Sequence, residues 1–181
     1  MNKKMRIAIL ICVLTVLVST FISARHGIVK LIDSAEEAFI SGTDSSGYSI
    51  YTDLQQRAAL ARNLRTVASR YLDSGDKLLK NLETAADRLE GERDVSDAYD
   101  ANEALSEAVA AVDKKLSELT LSETDENYRV GILADFASYA YTISHDGYNE
   151  YVRRINEDEL SRFPANLFRG ITFSGNIEYF E

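Results

Sequence analysis

Val95–Thr120 reads VSDAYDANEALSEAVAAVDKKLSELT, and its apolar positions decide the fold class. Val95, Ala98, Asn102, Leu105, Val109, Val112, Leu116 and Leu119 follow one another at alternating steps of four and three, after a first step of three. Side chains so spaced share one stripe of an α-helix, the seam by which a bundle helix packs on its neighbours. Asn102 is the polar member of that seam, and a polar residue there sets register. Ser96 is placed to cap the start of the helix.

The same spacing extends on both sides. Upstream, Leu54, Ala58, Ala61, Leu64, Val67, Ala68 and Tyr71, then Leu78, Leu82, Ala85 and Leu89, predict a helix over 51–90 that Gly91 ends. Asp73-Ser74-Gly75-Asp76 marks a kink or short break within it. Downstream, Tyr128, Ile132, Phe136, Tyr139, Ala140, Ile143, Tyr148, Tyr151, Val152, Ile155 and Leu160 predict a helix over 125–161. Ser122 or Thr124 caps it and Pro164 closes it. Before all of these, Ile28, Leu31, Ile32, Ala35, Ala38 and Phe39 give a stalk helix over 27–40, and SGTDSSG at 41–47 is a loop.

Residues 1–24 have a different character. Lys3, Lys4 and Arg6 precede Ile7–Ala24, 18 residues without a charge. At ~1.5 Å per residue that run makes a helix of roughly 27 Å, enough to cross a hydrocarbon core. Basic residues before the run and a long acidic remainder place the amino terminus in the cytoplasm and the rest outside it. A cleaved secretory signal is the rival, but its apolar core is usually ~7–15 residues. Cutting after Ala24 or Ser19 would also put Ile22 or Leu17 where a small residue is wanted. Residues 1–24 are therefore read as an uncleaved single-pass anchor in the cell membrane. Short connections between the later segments make neighbours antiparallel. The expected fold is all-α: a transmembrane helix continuing into an up-and-down antiparallel four-helix bundle, 25–181, with an aromatic tail at 162–181. A coiled coil between copies is the alternative use of one such seam, so a homo-oligomer is compatible with the pattern.

Composition narrows the function classes. A net charge of −9 lacks the basic stripe that nucleic acid requires. Cys12, the single cysteine, lies inside the apolar run, so no intramolecular disulfide can form. The two histidines are His26 and His145, and no HExxH, CxxC, GxGxxG, GxSxG or phosphate-binding loop is present. Acidic clusters such as Asp94 with Asp97, or Glu157-Asp158-Glu159, sit at helix ends and connections, where carboxylates are solvated or capping. No catalytic, cofactor or metal residues are expected. The tail FPANLFRGITFSGNIEYFE carries four of the seven phenylalanines. Either it wraps the bundle and buries those rings, or it docks on a partner or the membrane interface.

Several of these residues form a recognisable set. Tyr148-Asn149, Val152, Asn156, Phe163-Pro164, Asn166-Leu167 and the ending Tyr179-Phe180-Glu181 resemble the carboxy-terminal part of LemA-family proteins. DLQQRAALARNL, with Leu54, Arg57, Leu60, Asn63 and Leu64, is similar to that family's first bundle helix, and Glu126-Asn127-Tyr128 to the entry of its last. Arg62 stands where the family usually has proline, and the link from Asn156 to Phe163 is one residue longer than its pattern. The resemblance implies a membrane-anchored helical bundle with no established catalytic activity. It singles out Arg57, Asn63, Tyr148, Asn149, Asn156, Phe163 and Pro164 as structural or interaction residues: hydrogen bonds between helices, or the lining of a groove for a peptide or helix. The expected function is that of a non-enzymatic interaction or scaffold protein of the cell envelope, with another envelope protein as partner. The alternative is a binding module for a peptide or small ligand, released by signal cleavage.

Overall fold

The computed structural model describes residues 2–43, 48–162, 165–166 and 176–181. These residues form six α-helices and one π-helical turn, with no strand among them. They fall into two compact units, one of residues 1–36 with 150–177 and the other of residues 37–149 with 178–181.

Helix α1, Lys3–Ser41, runs unbroken from the apolar segment through the stalk. Its apolar run is largely exposed: Leu10, Val16 and Ile22 are each 60% exposed or more. The hydroxyls of Thr15 and Thr20 donate to the carbonyls of Ile11 and Val16, so neither needs an outside partner. The helix stops where Gly42 takes φ 92°, a left-handed conformation that favours glycine, and its N–H donates to Ala38 O.

In the first unit, Ile28 and Ala35 of α1 are buried, as are Val152, Ile155 and Leu160. The Tyr151 hydroxyl donates to Ser34 Oγ at 3.2 Å. Helix α6, Tyr148–Arg154, passes into a π-helical turn, Ile155–Glu159, in which Leu160 N–H reaches back five residues to Ile155 O at 2.9 Å.

The second unit holds α2, Ile50–Ala68; α3, Lys77–Gly91; α4, Val95–Ser117; and α5, Glu123–Ser144. Each start has a side-chain cap. Thr52 N–H donates to Ser49 Oγ, Leu78 N–H to Asp76 Oδ1, Ser96 and Asp97 N–H to Asp94 Oδ1, and Asp125 N–H to Ser122 Oγ. Helix α2 packs against α3, α4 and α5, and α3 against α4. Gln55 meets the Glu90 carbonyl while Arg65 meets Glu83, so α2 and α3 run antiparallel. Arg70 meets Asp125 while Arg57 lies on Phe136, so α2 and α5 do as well.

Four expectations are corrected. The helix expected over 51–90 is two helices: α2 ends at Ala68 with Ser69 as its C-cap, and after a turn Asp76 caps a new one that doubles back along α2. The helix expected over 125–161 ends at Ser144, beyond which His145–Gly147 turn the chain into α6. Asp94, not Ser96, caps α4. On α3 the buried positions are Leu79, Leu82, Ala86 and Leu89, so Leu78 and Ala85 flank the seam. Within α4, Ala98, Asn102, Leu105, Val109, Val112 and Leu116 are all buried, the stripe its spacing predicts. Part of the expected loop, 44–47, and most of the expected tail lie outside the described residues.

Candidate functional site

Arg57 projects from the middle of α2 and is 4% exposed. Its Nη1 donates to Asn102 Oδ1 and its Nη2 to Ser106 Oγ at 2.9 Å, both on α4. The guanidinium carbon stands 4.0 Å from the centre of the Phe136 ring on α5. Nε is buried with no hydrogen-bond partner, and no carboxylate pairs with this guanidinium among the described residues. Burial pulls the group down to about 10, against a smaller upward pull from Glu103. It remains charged at neutral pH, and it ties three helices together through neutral oxygens and one aromatic face.

Arg57, Asn102 and Ser106 line one wall of a cleft of about 390 Å3, with Tyr99, Asn149 and Phe180 also lining it. Asp53, one turn before Arg57, is 5% exposed, and burial, then the charge of Asp146, pushes its carboxyl up. A second polar cluster joins α2 to the start of α5. Tyr71 Oη donates to Asp125 Oδ2 at 2.6 Å, Arg70 pairs with Asp125 Oδ1, and Ser122 Oγ donates to Asp125 Oδ2 at 3.0 Å. The Tyr71 hydroxyl, then Ser122 and Arg70, hold that carboxyl below the usual range.

At the carboxy-terminal end, two asparagines act alike. Asn149 Nδ2 donates to Phe180 O at 3.1 Å while Phe180 N–H donates to Asn149 Oδ1 at 2.8 Å. In the first unit, Asn156 Nδ2 donates to Ile177 O at 2.9 Å and Ile177 N–H to Asn156 Oδ1 at 3.0 Å. A carboxamide presents one donor and one acceptor side by side, the pattern by which a strand meets its neighbour. Each asparagine therefore fixes one tail residue by its backbone. Tyr148 adds an O–H donated to Glu178 O at 3.1 Å. Its ring is 1% exposed and meets Phe39 edge-on at 5.7 Å, and burial pushes its hydroxyl up. Phe180, 7% exposed, meets Tyr99 edge-on at 5.3 Å and lies 6.1 Å from Phe39.

The structure thus brings Tyr148 and Asn149 onto one end of the tail, sets Arg57 against α4, and gives Asn156 a partner in Ile177. Asn63 faces solvent on α2. Phe163 and Pro164 lie outside the described residues. Sequence spacing gives Asn102 a register role but no partner, puts Tyr71 on an apolar face without its bond to Asp125, and does not single out Asp125 or Tyr99. The signal for Asp125 is an acidic residue in the first turn of a capped helix. Asn102 shows itself only as a polar side chain in an apolar seam. Among the described residues no group of three or more His, Cys, Asp or Glu is placed to hold a metal ion. No family model, curated protein or solved structure matches the chain.

Proposed function

We propose that this chain is a LemA-like single-pass membrane protein whose helices form a non-enzymatic interaction or scaffold domain at the cell envelope. The observation that carries the reading is α1. Its most apolar 18-residue window has a mean hydropathy of 2.7, and none of that window is buried. An apolar side chain left in water forgoes roughly 1.5–3 kcal/mol that burial would supply, so such a surface calls for hydrocarbon around it. Lys3, Lys4 and Arg6 favour a cytoplasmic amino terminus, with the helical domain of α2–α5 outside. The LemA reading rests on the sequence resemblance carried by Arg57–Leu64 and Tyr148–Pro164. Binding rather than catalysis is favoured because Arg57 and Asp125, two of the buried ionisable groups, are engaged in holding helices together.

Membranes washed at alkaline pH test this. The full-length chain should stay in the pellet with residues 1–24 intact by mass, and protease added outside sealed cells should remove the bundle. A soluble chain beginning near residue 25 would refute the anchor. Crosslinking in intact cells that joins the bundle to no envelope protein and to no second copy would refute the scaffold role. The cleft beside Arg57 favours one second reading, a binding module for a peptide.

A further inference from the structure

The cleft beside Arg57 has its charges sorted by depth. Arg57 and Asn102, 4% and 5% exposed, belong to its inner wall. A guanidinium carries five N–H groups, and Arg57 spends one from Nη1 on Asn102 and one from Nη2 on Ser106. Each Nη keeps a second N–H, Nε is buried with no acceptor, and no carboxylate pairs with the group among the described residues. A buried cation with only neutral partners is costly, and an anion that reaches it relieves that cost. Two adjacent Nη atoms match the two oxygens of a carboxylate.

The rim bears the opposite sign. Glu103 and Glu181 are exposed and Asp146 is half-buried, and all three line the cleft. Glu103 is near enough to pull the Arg57 value upward, yet the two form no ion pair. Tyr99 and Phe180, edge-on at 5.3 Å, add apolar surface to the lining. The cleft's volume of about 390 Å3 falls within the ~300–1,000 Å3 of small-molecule sites. One cation inside and three carboxylates outside are the charge complement of a molecule with one carboxylate and two amines.

We propose that this cleft holds a free basic α-amino acid such as lysine, its carboxylate on the Nη atoms of Arg57 and its two ammonium groups among Glu103, Asp146 and Glu181. The ligand's side-chain methylenes cover Tyr99 and Phe180 while its charged end stays at the wet rim. A neutral amino acid leaves the rim unbalanced and an acidic one adds to its charge, so selectivity follows charge. The inference rests on the reading of this cleft as a binding site and names its ligand. Every residue it uses lies in the second unit, so it stands apart from the membrane assignment of α1.

Isothermal titration of the full-length chain in detergent at pH 7 tests this, with L-lysine, L-leucine, L-glutamate and Nα-acetyl-lysine as probes. L-Lysine should bind with a Kd of ~1 mM or below, at least ~10-fold more tightly than L-leucine, and L-glutamate should not bind. Glu103→Arg, at an exposed position, should weaken L-lysine at least ~10-fold, and Glu103→Gln about 2–5-fold. Arg57→Met with Asn102→Leu removes the guanidinium and should abolish binding while far-UV circular dichroism shows the helices retained; the Glu103 variants carry the test if that chain does not fold. No binding of L-lysine, equal binding of L-leucine or L-glutamate, or unchanged affinity in Glu103→Arg overturns the inference. Nα-Acetyl-lysine imitates the carboxy-terminal lysine of a peptide and should bind at least ~10-fold more weakly than L-lysine. Equal binding of the two overturns the free amino acid and leaves the peptide reading standing. No binding of any probe, nor of a lysine-rich peptide blocked at both ends, overturns both.

Discussion

Asn102→Leu takes away one of the two oxygens that hold a charged guanidinium inside the helices, and the outcome can be worked from the structure. Burial lowers Arg57 from the ordinary arginine value to about 10. The folded state therefore bears, at neutral pH, a desolvation cost of about 3 kcal/mol for keeping the group charged. Asn102 Oδ1, Ser106 Oγ and the Phe136 face offset it. With Asn102 replaced, the charge keeps only the hydroxyl and the ring, and the expected loss is about 3–5 kcal/mol. Arg57→Met removes the charge but leaves the Asn102 amide and the Ser106 hydroxyl without their donor, a cost of about 1–3 kcal/mol that roughly cancels the relief. The double variant, Arg57→Met with Asn102→Leu, joins two apolar side chains of suitable volume and should match or exceed wild type by ~1–4 kcal/mol. The assay is urea unfolding of the full-length chain at fixed detergent and pH 7, followed by far-UV circular dichroism, with midpoints compared at constant slope. A loss under about 1 kcal/mol for Asn102→Leu would refute the reasoning, as would a double variant no better than Asn102→Leu alone.

Other parts of the molecule carry further expected outcomes. Because Tyr71, Ser122 and Arg70 hold the Asp125 carboxyl low, its contribution is full at neutral pH and is lost as pH falls through that lowered value; Asp125→Asn should lower the melting temperature at pH 7 and flatten the acid limb of a melting-temperature series. Asp53 behaves in the opposite sense. Its carboxyl is raised by burial and by Asp146, so its ionisation costs stability at neutral pH, and Asp53→Asn should raise the melting temperature at pH 7 but not below the ordinary aspartate range. Leu105→Ala in the fully buried seam of α4 should lower stability by about 2–5 kcal/mol in the same urea assay. Arg62, paired with the well-exposed Asp87 and Glu90, should matter little: Arg62→Met should change stability by no more than about 1 kcal/mol, and that change should vanish in concentrated salt.

What can be read from spacing is governed by how one-sided each helix is. On α4 apolar residues repeat at regular steps, so the seam from Ala98 to Leu116 is legible save for Ala101, which is buried beside it. Helix α5 has apolar side chains all round: Phe136 and Ile143 are buried, whereas Tyr128, Val130 and Tyr141 are more than half exposed. Periodicity cannot choose among such positions, and for that reason it puts Tyr128 on the wrong face. The turn at 73–76 announces itself by its residue types, yet whether it kinks or reverses a helix depends on what lies beside α2, which no local pattern contains. The roles of Asn149 and Asn156 are hidden for a different reason. Their partners are backbone groups 31 and 21 residues away, and backbone groups leave no trace in a sequence. Arg57 can be placed on a helix, but its partners, the neutral Asn102 and Ser106, are not those that charge pairing suggests.

The π-helical turn at Ile155–Glu159 takes up one more residue than a regular spiral would, so the chain beyond it is rotated by about 100° from where an α-helix would put it. That offset is what lets Leu160 point inward only five positions after Ile155, with both side chains almost wholly covered. Wound instead as a regular α-helix at ~100° per residue, the same residues would set Leu160 about 140° round from Ile155. Leu160 would swing out into water, so the apparent irregularity is the feature that keeps that oily side chain dry.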